Sequence, residues 1–111
     1  MRENLLVTKA IKITRERRGD GTVIRVFTTG GAQAIKLDCL ERNAHYHLDP
    51  DGRNIVRSIE DADPLEWAAR ALRSSLSPML RAAGYEEAAA DVGREQVRSQ
   101  IEEVAATLQH C

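Results

Sequence analysis

The chain has 111 residues, a size that fits one domain with a single modest core, read as residues 1–60 forming a sheet part and 61–111 a helical part. Its 42% hydrophobic and 30% charged residues exclude global disorder, and a formal net charge of −1 excludes a strongly basic nucleic-acid binder or a polyacidic tail. Aromatics make up only 4%, so the core must be aliphatic and alanine-rich. A core that thin is often supplemented by oligomerisation.

Along the chain, residues 5–14 alternate in hydropathy, with Leu5, Val7, Ile11 and Ile13 on one face and Lys9 as the exception, which predicts a half-buried strand. A polar connection follows over 15–22, with Asp20-Gly21 as its turn signal. A second β-rich run covers 23–29, Gly30-Gly31 punctuates it, and 33–39 sets Ile35, Leu37 and Cys39 against Lys36 and Asp38. Two short strands, 44–48 and 54–59, flank Asp49-Pro50-Asp51-Gly52, whose proline and glycine positions fit a type I turn better than a calcium loop. Five strands joined by tight turns describe an antiparallel meander.

At residue 61 the period changes to a helical one. Asp63-Pro64-Leu65-Glu66 reads as N-cap, first-turn proline and capping box. The helix it opens is expected to kink or restart at Pro78 and to end at Gly84, with a second long helix from about Glu86 to Gln109. Val97, Ile101, Val104 and Leu108 recur at four, three and four, a narrow helix–helix seam. The fold class expected is α+β: a five-stranded antiparallel meander followed by a C-terminal helical hairpin packed on one sheet face.

His45 and His47 lie two apart on a strand and therefore share a face, the arrangement in which two imidazoles sit at ligand distance. Asp49 has the same parity and is the expected third metal ligand, with Asp38 on the preceding strand as an alternative; the ion would be zinc or another divalent metal. The bland counterpart is a polar strand face with Tyr46 and Leu48 packing inward. Cys39 matches the parity of Ile35 and Leu37, which places it in the core. Cys111 stands next to the chain end, where no nucleophile–base geometry is held. No nucleophilic site or phosphate loop emerges, so no catalytic residue and no organic cofactor is expected.

Lys9, Lys12, Arg15, Arg17 and Arg18 form the one basic cluster, diluted by Glu16 and Asp20 and lacking interleaved aromatics, so nucleic-acid binding through a 12–18 hairpin ranks below a solvated loop. The helical seam leads to the first functional expectation: a non-enzymatic homo-oligomer, a dimer acting as a binding or assembly module. Its interface would use Val97, Ile101, Val104 and Leu108, with the lone Trp67 as an anchor. A metal or small-ligand site on the His45/His47 face is the second. No apolar run has membrane-spanning length, and two cysteines make no disulfide framework, so a reduced cytoplasmic setting without membrane partners is expected.

Overall fold

A computed structural model describes residues 2–109. The architecture is α+β, an antiparallel sheet followed by C-terminal helices. The strands are β1 (Arg2–Val7), β2 (Ile11–Arg18), β3 (Gly21–Thr28), β4 (Gln33–Leu40), β5 (His45–Leu48) and β6 (Ile55–Ser58), paired in chain order as an open meander. The helices are α1 (Pro64–Ala82), α2 (Glu86–Val92) and α3 (Glu95–Gln109). None of them is long and apolar enough to cross a membrane.

The described residues form six strands rather than five, because the 5–14 run is two strands folded back on each other. The Thr8 hydroxyl accepts from the N–H groups of Ala10 and Ile11 at 3.3 and 3.0 Å, a local turn that interrupts the strand. A bulge between Asn4 and Leu6 precedes it, which leaves both Leu5 and Leu6 half-buried and Val7 exposed. The basic stretch expected as a loop is also mostly strand. Arg15 lies buried in β2, held by Glu3 of β1 at 3.0 Å, and only Gly19 and Asp20 turn the chain.

The described residues of the C-terminal half form three helices rather than two. α1 starts as its sequence dictates, with the Asp63 carboxylate accepting from Glu66 N–H at 3.2 Å and Pro64 in the first turn. It does not restart at Pro78 but continues as one helix to Ala82. Gly84, at φ 97°, then ends it, with Tyr85 N–H reaching back to the Leu80 carbonyl at 2.9 Å. The long second helix breaks at Gly93, whose N–H turns back to the Ala90 carbonyl. Replacing Asp63 by alanine should cost about 1 kcal/mol by loss of the cap, seen as a lower urea midpoint at unchanged slope.

Residues opposite each other in an antiparallel register share a face, so the sheet has two distinct sides. One carries Ile11, Ile13, Ile24, Val26, Ile35, Leu37 and Leu48, all buried in a single cluster with Leu72, Leu76 and Leu80 of α1 and Val97, Ile101, Val104 and Leu108 of α3. The helices therefore cover this face. The opposite face is read in two rows that cross all six strands. One is Asn4, Thr14, Arg25, Lys36, His47 and Val56; the other is Arg2, Glu16, Val23, Asp38, His45 and Ser58. Its centre is also buried: Thr14, Val23, Arg25 and Asp38 are each at most 9% exposed.

Candidate metal centre

β5 is only four residues long, and both of its faces have a task. Tyr46 points to the helical side and stacks on Trp67 of α1, with ring centroids 5.1 Å apart and planes at 29°. Leu48 is buried in the core. These two anchors fix the strand, and the alternation then places His45 and His47 side by side on the other face, centroids 4.9 Å apart.

The register sets Asp38 opposite His45 and Lys36 opposite His47. Asp38 Oδ2 lies 3.3 Å from His45 Nε2 and 3.2 Å from His47 Nε2. Ligand atoms that share a zinc-sized ion at about 2.0–2.2 Å stand roughly 3–3.5 Å apart across a tetrahedral edge, so these two separations already match a common ion. All three donor atoms lie within 4.8 Å of one another. Neither imidazole is aligned to hydrogen-bond Oδ2, which is buried and has no hydrogen-bond partner among the described residues. A buried carboxylate oxygen without a donor is costly, and a cation shared with the two nitrogens would satisfy it.

The far side of each ring is fixed as well. His45 Nδ1 is 2.7 Å from the Asn43 carbonyl, and His47 Nδ1 is 2.8 Å from Asn54 Oδ1. Carbonyl oxygens only accept, so each Nδ1 carries a proton. In the neutral imidazole that leaves the Nε2 lone pair on the side of Asp38, the tautomer a metal ligand needs. Asn43 and Asn54 close the loops on either side of β5 and both take positive φ, 58° and 50°, which asparagine tolerates better than most residues. The site is reachable: His45 and His47 side chains are 32% and 18% exposed, whereas Asp38 is 5%.

The family model described as "Domain of unknown function (DUF7700)" matches residues 4–108. The chain belongs to the DUF7700 family. No curated protein and no solved structure matches it.

Within this DUF7700 domain, Asp49 does not join the histidines. It sits at φ 54°, just after β5 ends, so the strand parity that pairs it with His47 no longer applies. Its carboxylate caps the turn instead, accepting from Arg53 N–H at 3.0 Å and from the Tyr85 hydroxyl at 3.4 Å. Desolvation and the neighbouring Asp49 charge push the Tyr85 phenol above its ordinary value. Asp38 takes the third position, and Asn43 and Asn54, rather than a carboxylate, orient the rings.

The remaining sequence candidates are accounted for in the same way. Cys39 is buried, and burial together with the charges of Asp38 and Asp63 pushes its thiol up to about 12, which leaves no thiolate for nucleophilic or ligand chemistry. Cys111 lies outside the described residues. The basic cluster does not converge on one surface, since Arg15 is turned to Glu3 and Arg18 to Glu16. Trp67 serves β5 inside the chain. Val97, Ile101, Val104 and Leu108 are all at most 9% exposed in the single chain, because α3 packs them against α1 and the sheet. The seam is therefore packed within the single chain.

Proposed function

We propose that this domain binds a divalent first-row transition metal through Asp38, His45 and His47 and offers its open coordination positions to a ligand from solvent. What carries the reading is the convergence of two tautomer-fixed Nε2 atoms on one buried, otherwise unpartnered carboxylate oxygen. Three protein donors of two imidazoles and one carboxylate suit zinc, iron(II) or cobalt(II), and three-donor sites keep positions free for water or substrate. Calcium and magnesium, which prefer all-oxygen shells, fit this donor set poorly.

The test is metal titration of chelator-treated full-length protein by calorimetry, with metal content after dialysis. One zinc or cobalt per chain should be retained, and binding should raise the thermal midpoint, by about 2.7 kcal/mol of added stability when metal is at 100 times its dissociation constant. Asp38→Asn and His47→Ala should abolish stoichiometric retention. Asn54→Gly keeps the positive φ and deletes only the ring-orienting amide, so affinity should fall about 10–100-fold with the fold intact. Wild-type protein that retains none of zinc, cobalt or iron(II) would end the proposal.

A further inference from the structure

The residues around the three donors go further than a metal, because their charges select what the metal would hold. Besides Asp38 itself, the charged side chains Glu16, Arg25 and Lys36 lie on the face opposite the helices. Arg25 is paired with Glu16 at 2.7 Å, and Lys36 Nζ is 3.7 Å from Asp38 Oδ1. Arg18 shares Glu16 with Arg25 at 3.3 Å, so these groups carry no excess negative charge for an ion to neutralise. A divalent metal adds two positive charges beside an already compensated carboxylate, in a region where Arg25 and Asp38 are at most 9% exposed. Uncompensated charge is costly there, and the ion's own charge dominates the local field.

The register sharpens the point. Arg25 stands directly opposite Lys36, and Lys36 directly opposite His47. Like charges facing each other across strands are destabilising, and here Glu16 and Asp38 offset them. The proposed metal ligand His47 continues that row to a third strand. At its other end Thr14, opposite Arg25, has a buried hydroxyl with no hydrogen-bond partner. Lys36 is also placed to reach an incoming group, since its side chain is 27% exposed.

From this we infer that the centre takes a small anionic oxygen ligand, a carboxylate or phosphate group, which occupies an open metal position and has Lys36 as its counter-charge. The inference rests on the metal reading above and adds the chemical class of the ligand. Lys36 is a positioning residue in this scheme: it donates to the bound anion while the metal holds the anion's oxygen.

Cobalt(II)-loaded full-length protein tests it, because the visible bands of cobalt report its coordination directly. Inorganic phosphate and acetate, titrated separately at constant ionic strength, should each be tried; the one that binds more tightly identifies the group. The expected result is a saturable band change with one anion per cobalt, weakened about tenfold in Lys36→Met, as for loss of one charged hydrogen bond, and within about threefold of wild type in Lys36→Arg. Cobalt affinity is measured for each variant, and Lys36→Gln replaces the methionine variant if circular dichroism shows the latter unfolded. Bands that ignore both anions, or anion affinities unchanged by loss of the Lys36 charge, overturn the inference and leave the metal site standing. Absence of any protein-bound cobalt spectrum overturns both.

Discussion

Ile101→Asp should leave no folded protein. Ile101 is 4% exposed within the single chain, in the cluster that joins α3 to Leu72 and Leu76 of α1. Removing a buried isoleucine side chain costs about 2–5 kcal/mol, and an unpaired carboxylate in its place adds several more. Their sum reaches the whole stability of an ordinary domain, about 5–15 kcal/mol. Circular dichroism should therefore show loss of helix and sheet together, or the chain should be recovered only as aggregate. The same substitution separates the two uses of the seam. If α3 were an intermolecular surface, the variant would stay folded and sediment at half the wild-type mass. A soluble, helical Ile101→Asp chain of reduced mass would restore the dimer and contradict the packing described.

The seam illustrates what a single sequence can show. Spacing at 97, 101, 104 and 108 determines which face of α3 is apolar, but the apolar stripe is the same whether its partner is α1 or a second chain. Only the tertiary arrangement separates the two, and here α1 is that partner. The first hairpin was hidden for a related reason. Leu5, Val7, Ile11 and Ile13 all have odd numbers, so alternation runs through the turn at 8–10 as though one strand continued. Lys9 was the one residue out of phase, and it lies in the turn. The helix division at Gly93 follows the weak point that glycine introduces into a helix interior.

The candidate site was legible in part because its two histidines lie on one strand, where parity suffices. Its third donor comes from the adjacent strand, and which residue of β4 faces His45 depends on the length and conformation of the 41–44 connection. Parity favoured Asp49 only as long as β5 was taken to extend that far. The strand ends at Leu48, and a positive φ turns Asp49 into the capping residue of the next loop. Asn54 carried a detectable signal, an asparagine directly after a turn glycine and arginine. Its role as acceptor for His47, however, needs the β5–β6 hairpin closed in three dimensions.

Gly21→Ala should damage both fold and site. Gly21 opens β3 at φ 147°, and a Cβ built there would lie 2.3 Å from the Cys39 carbonyl oxygen and 2.7 Å from Leu40 Cα. Both obstacles are backbone of β4, so no side chain can rotate out of the way. Backbone strain and overpacking each cost about 1–3 kcal/mol, which sets the expected loss at roughly 2–6 kcal/mol. For a chain of this size that corresponds to a thermal midpoint lowered by about 10–25 °C. The relief available to the sheet is to push the end of β4 away from β3. Asp38 is the residue before Cys39, and its placement against His45 is set by β4 staying in register. Metal affinity of the folded Gly21→Ala protein should therefore fall about tenfold or more, although residue 21 touches none of the three donors. Asp63→Ala, which lowers stability by loss of the α1 cap and places no atom against the β4 backbone, is the control, and its metal affinity should match wild type. Equal affinity in Gly21→Ala and wild type, measured well below the variant's melting temperature, would show that the donors are held independently of the β3–β4 register.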